Sequence, residues 1–105
     1  MALTHSGIEG FGRFDEGRTE GIRVCCLDDT LHLEFQCFGG TLHIIEIPRC
    51  SEYTREAIAS KQPVPLHDGY CLQCTEYEDG ELYFRLDHMD RPAFWCEVRG
   101  LRWAA

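Results

Sequence analysis

Apolar and polar residues alternate from Ile22 onward, as in strands with one buried face, and requiring every apolar residue to share that face fixes a register for each hairpin. With Asp28-Asp29 as a two-residue turn, Cys26 stands opposite Leu31, Val24 opposite Leu33 and Ile22 opposite Phe35, while Arg23 meets Glu34 on the other side. Gly39-Gly40 reads as a second two-residue turn that pairs Cys37 with Leu42 and Phe35 with Ile44. Alternation breaks at Ile44-Ile45, and a bulge there returns Ile47 to the core face opposite Leu33. Residues 22–48 are therefore expected to form a three-stranded antiparallel meander ending at Pro48.

The same logic predicts a second three-stranded meander over 70–103. A three-residue loop, Glu78-Asp79-Gly80 with Gly80 left-handed, sets Cys74 opposite Phe84, Leu72 opposite Leu86 and Tyr70 opposite His88. A two-residue loop would set Cys74 opposite Arg85 and Leu72 opposite Asp87, so periodicity selects the longer one. A further loop through Asp90-Arg91-Pro92 that aligns Met89 with Ala93 gives Leu86 opposite Cys96, Phe84 opposite Val98 and Arg85 opposite Glu97 outside. Between the meanders, residues 52–61 contain no Gly or Pro, follow a candidate cap at Ser51 and precede Pro63 and Pro65. One short helix is predicted there, with Tyr53, Ala57 and Ile58 as a narrow apolar stripe.

The fold class that follows is mainly β (α+β): two meanders joined by a short helix, as one curved sheet or a small sandwich or barrel. The length of 105 residues suits a single domain over 1–105. Residues 1–21 carry five glycines, with Ile8, Phe11 and Phe14 as the large apolar anchors, and read as a glycine-rich N-terminal arm or edge strand.

Composition narrows the function classes. No stretch approaches the roughly 20 apolar residues of a membrane helix, and residues 1–12 lack the cationic start and apolar run of a secretory leader. A cytoplasmic protein with no membrane partner is expected. The seven cysteines are odd in number and unaccompanied by an export signal, which favours reduced thiols used mostly as small apolar filler. The net charge of −8 opposes direct nucleic-acid binding and attracts a basic protein.

Two constellations invite a chemical role. Cys71 and Cys74 have the spacing of a zinc half-site, but alternation along a strand puts them on opposite faces, and no second such pair follows. His67-Asp68 and Asp87-His88 resemble halves of a metal or acid–base site, since the hairpin register brings Tyr70 beside His88. A metal site drawn from Cys71, Cys74, His67 and His88, or a ligand-binding or enzymatic β-barrel using His67, His88 or Cys71, stands as the alternative. No cofactor is expected.

Charge distribution carries more weight. Residues 68–97 hold eight acids against two arginines, Arg85 and Arg91. Tyr77, Tyr83 and Trp95 stand on the expected outer face among Glu81, Asp87 and Glu97, with Glu76, Glu78, Asp79 and Asp90 around them. Aromatic anchors ringed by carboxylates suit a protein-binding surface. The leading expectation is a non-enzymatic acidic binding module, such as an immunity protein or inhibitor that neutralises a basic toxin or nucleic-acid-acting enzyme. A structural domain forming a homodimer through an edge strand is a further alternative.

Overall fold

Two consecutive left-handed residues, Asp28 (φ 51°) and Asp29 (φ 58°), make the tight turn between strands β2 (Gly17–Leu27) and β3 (Thr30–Cys37). That backbone matches the right-handed twist of the strands it joins, so the pairs Cys26–Leu31, Val24–Leu33 and Ile22–Phe35 form as the alternation requires. The computed structural model describes residues 3–14, 17–37 and 39–104. Among them, β4 (Leu42–Ile47) completes the first meander, and β6 (Tyr70–Glu76), β7 (Leu82–His88) and β8 (Trp95–Trp103) form the second. The helix α1 (Cys50–Ser60) and a two-residue strand β5 (Val64–Pro65) lie between them. Both second-meander registers match expectation, with Leu72 opposite Leu86, Cys74 opposite Phe84 and Phe84 opposite Val98.

The N-terminal segment forms β1 (Leu3–Phe14), which pairs with β8 along most of its length and with β2 near the β1–β2 turn, in the order β4-β3-β2-β1-β8-β7-β6-β5. The side chains of Ile8 and Phe14, expected as anchors there, lie outside the described set. Among the described residues the ladder from β1 to β2 contains Arg13–Arg18 and Phe14–Gly17, after which β2 pairs with β3. The strands thus divide into a five-stranded sheet, β1-β8-β7-β6-β5, and a three-stranded sheet, β2-β3-β4, all antiparallel.

Glycine makes this corner. A Cβ on Gly10 would lie 2.9 Å from Val24 Cγ2, and one on Gly12 would lie 2.6 Å from the Trp95 carbonyl oxygen and 2.9 Å from Ile22 Cδ1. Ile22 and Val24 therefore pack straight onto the backbone of β1, folding one sheet over the other. One continuous core results, with Leu31, Leu33 and Phe35 from one sheet and Leu72, Phe84 and Val98 from the other. Phe94 bridges the sheets, its ring 5.9 Å from Phe35 and 5.5 Å from Tyr70.

The second hairpin differs from expectation. The Cys37 N–H donates to the Thr41 carbonyl at 2.9 Å, so the loop is one residue longer than a two-glycine turn and the register moves by one. Phe35 pairs with His43, Leu33 with Ile45 and Leu31 with Ile47. Ile45 and Ile47 enter the core without a bulge, and Ile44 and Leu42 face outward. A bulge does occur in β8, where left-handed Gly100 (φ 93°) falls between the Tyr83–Arg99 and Leu82–Leu101 pairs and returns Leu101 to the core.

The helix begins at Cys50, and its cap is not Ser51 but Asp29, contributed by the β2–β3 turn. The Asp29 carbonyl accepts from the Cys50 N–H at 2.9 Å. Its carboxylate accepts from the Ser51 N–H at 3.2 Å and the Ser51 hydroxyl at 2.6 Å. A carboxylate placed there satisfies orphan donors and complements the helix dipole. The buried helix face is Cys50, Ser51, Thr54 and Ala57 rather than a stripe centred on Tyr53, because small residues allow close approach to β6. Tyr53 and Ile58 flank that face, half-buried.

The two sheet edges are unequal. β5 is two residues long and flanked by Pro63, with Pro65 inside it, whereas β4 is six residues without proline and exposes Leu42 and Ile44.

Asp29→Ala is expected to destabilise the fold by about 1–2 kcal/mol in urea denaturation, the usual cost of a lost cap. Asp29→Asn should cost less, because the amide oxygen still accepts one of the two Ser51 hydrogen bonds and asparagine tolerates positive φ. Gly80 is at φ 89°, so Gly80→Val should cost about 1–3 kcal/mol by the same measurement.

Candidate functional site

The outward-facing residues of β1, β8, β7 and β6 form a grid set by the registers. One row runs Arg13, Trp95, Asp87, Cys71; the next runs Phe11, Glu97, Arg85, Gln73; Tyr83 lies beside Arg99 and Thr75. The helix packs Cys50, Tyr53 and Ile58 against the core on the other side of the sheet, so it does not cover this grid.

Arg85 organises the face. Its guanidinium forks onto Asp87, with Nε to Oδ2 and Nη2 to Oδ1 both 3.1 Å, and Nη1 reaches Glu97 Oε1 at 3.1 Å. The same guanidinium lies 5.8 Å from the Trp95 ring centroid, so the indole is partly covered by its neighbour. Partial burial and the Glu97 carboxylate, which accepts the phenol hydrogen, both push Tyr83 above its ordinary pKa. The Tyr77 ring is 6.4 Å from Tyr83. Phe11 adds an apolar side chain that is 51% exposed.

The residues expected to form a partner surface thus fall in four places. Tyr77, Glu81, Tyr83, Asp87, Trp95 and Glu97 share the outer face. Glu78 and Asp79 sit at the β6–β7 tip, and Asp90 sits in the β7–β8 loop at the opposite end of the strands. Glu76 belongs to the inner side, where it accepts from the Trp103 indole N–H at 3.0 Å.

Charge on the face is more balanced than the acid count implies. Arg99 lies 3.6 Å from Glu81, and Arg102 lies 3.6 Å from the Asp79 carboxylate and donates to its carbonyl at 2.7 Å. Both arginines follow Glu97 in sequence and lie outside the segment whose acids were counted. Phe11 and Arg13 were missed for another reason. Around them β1 alternates side chain with glycine, so the inward positions Gly10 and Gly12 show no apolar signal, although a glycine period of two is itself a strand pattern.

The histidine alternative takes a definite form. His67, Asp68 and His88 line one cleft of about 290 Å³ with Ile44, Glu46 and Arg91. His88 Nδ1 accepts from the Asp90 N–H at 3.0 Å, which leaves the proton on Nε2, donated to the Asp68 carbonyl at 2.7 Å. Both ring nitrogens are committed to backbone, and the ring packs on Gly69, where a Cβ would come within 2.8 Å of it. His88 thereby pins the 3₁₀ turn His67–Gly69, with both ring nitrogens engaged by backbone rather than turned to the cleft.

Cys71 is on the outer face opposite Asp87, and Cys74 is on the inner face opposite Phe84, so the two sulfurs do not converge. Burial pushes the Cys74 and Cys96 thiols up to about 12, as suits apolar filler. Among the described residues, no group of three or more His, Cys, Asp or Glu side chains is arranged to hold a metal ion, and no helix is long and apolar enough to cross a membrane.

His88→Ala should lower stability by about 0.5–2 kcal/mol, because it removes two hydrogen bonds that tie the His67–Gly69 turn to the β7–β8 loop. Added zinc should leave the melting temperature of the wild-type protein unchanged in differential scanning fluorimetry; a rise that depends on His88 would assign the cleft to metal. No known family model, curated protein sequence or solved structure matches this chain.

Proposed function

We propose that this chain is a non-enzymatic protein-binding module that engages a basic protein through the outer face of its five-stranded sheet. The observation that supports this best is the arrangement around Arg85. Trp95, Tyr83 and Phe11 project from a rigid sheet, and Arg85 is held by Asp87 and Glu97 before any partner arrives. Tryptophan, tyrosine and arginine dominate the energetics of protein interfaces. Side chains already fixed in place lose little entropy on binding.

The overall charge of −8 acts at longer range than these contacts. It favours encounter with a cationic partner, while the paired charges on the face supply register and specificity. Glu78 and Asp90 extend the negative field at the two ends of the strands. An inhibitor or immunity protein that occludes the cationic site of a toxin or nucleic-acid-acting enzyme in the cytoplasm is the role to which this chemistry is suited.

The test is comparative capture from extract of the source cell, with three baits. Wild-type protein should retain a basic partner in low salt and release it as salt rises. The double variant Phe11→Ser/Trp95→Ser should lose that partner at least tenfold. Leu42→Ser/Ile44→Ser, on the other sheet, should retain it. Equal capture by all three baits, or capture indifferent to salt, overturns the proposal.

A further inference from the structure

The one sulfur–sulfur contact among the described residues joins two elements that meet only in the folded chain. Cys26 Sγ, near the end of β2, lies 3.5 Å from Cys50 Sγ at the first residue of α1. Cys26 is half-buried and Cys50 is fully buried. A disulfide requires sulfurs about 2.05 Å apart, so closing the gap takes a movement of roughly 1.5 Å, within the reach of side-chain rotation and a small backbone shift. The neighbouring Cys25 is exposed and stands opposite His32 on the outer face, so alternation points it away from Cys50.

We propose that Cys26 and Cys50 form a site of oxidative modification, joined by peroxide into an intramolecular disulfide that ties α1 to the β2–β3 hairpin. Cys26, the more accessible sulfur, is oxidised first: its thiolate attacks one peroxide oxygen, the O–O bond breaks, and a sulfenic acid and one water result. Cys50 then attacks the Cys26 sulfur as its thiolate; the S–S bond forms, the S–O bond breaks, and a second water leaves. Two thiols lose two electrons and two protons in total, and one peroxide becomes two waters.

Burial pushes both thiols above the ordinary cysteine value, and the Asp29 carboxylate 3.5 Å from Cys50 Sγ acts in the same direction. Thiolate is therefore scarce, and the site responds to sustained oxidant rather than to a brief pulse. Once formed, the bond is open to exchange through its Cys26 sulfur alone, because its Cys50 half is inaccessible. It lies at the same joint as the Asp29 cap, so oxidation adds a covalent hold where the reduced protein has hydrogen bonds alone.

The experiment treats the full-length protein with hydrogen peroxide, digests it with trypsin without reduction and maps the fragments by mass spectrometry. Fragments 24–49 and 50–55 should appear joined, about 2 Da below the sum of their masses. The link should persist in Cys25→Ser and vanish in both Cys26→Ser and Cys50→Ser. Oxidised wild-type protein should melt roughly 5–15 °C higher than reduced protein, with dithiothreitol reversing the shift. A link surviving in Cys26→Ser overturns the proposal, as does oxidation of Cys26 to sulfinic acid with no link in the wild-type chain. Because the wild-type map needs no variant, misfolding of Cys50→Ser leaves the result decisive.

Discussion

The arrangement of this protein depends on a stretch of β1 from which side chains are missing. Where Gly10 and Gly12 face inward, Ile22 and Val24 rest on bare backbone. Any β-carbon there would wedge the strands apart. Without that close approach, β2 would continue flat beside β1 and extend a single sheet. With it, β2 leaves β1 after two paired positions and carries β3 and β4 over the first sheet. The core between the sheets exists because the strand that joins them is thin on one side.

The second tie is polar. A turn that must adopt left-handed backbone at two positions is built from two aspartates, and one of them has a carboxylate free to reach the start of α1. The same residue thus shapes a hairpin and caps a helix that begins 21 residues later. The helix can be short, with a buried face of small residues, because its first turn is anchored from outside. The outer face of the five-stranded sheet remains uncovered by it.

Legibility in the sequence followed how firmly each loop determined its own length. Three hairpin registers were readable, since Asp28-Asp29, Glu78-Asp79-Gly80 and the Asp90–Pro92 loop each allow one register that gathers the apolar residues on one face. Gly39-Gly40 does not, because glycine accepts a turn of either length, and adjacent Ile44 and Ile45 satisfy either register. The length and pairing of β1 were hidden because Gly7, Gly10 and Gly12 interrupt its alternation. With β1 went Phe11 and Arg13, and so the far side of the candidate face. The ion pairs of Arg99 and Arg102 were also hidden, since pairing across strands depends on a bulge at Gly100 that alternation does not announce. The aromatic and acidic members of the face were legible; their mutual neutralisation was not.

The inequality of the two sheet edges has a consequence for assembly. A sheet with two open edges can accept a neighbour on each and so grow without limit. Of the two outermost strands, one is a proline-bounded fragment of two residues, and the other, β4, offers a full row of unpaired backbone groups. Any association that adds strand to strand across β4 uses up the open margin of both participants. Pairing of β4 with β4 therefore closes on itself at two copies, and the short, proline-bounded β5 margin gives it no matching partner at the other end of the strand order.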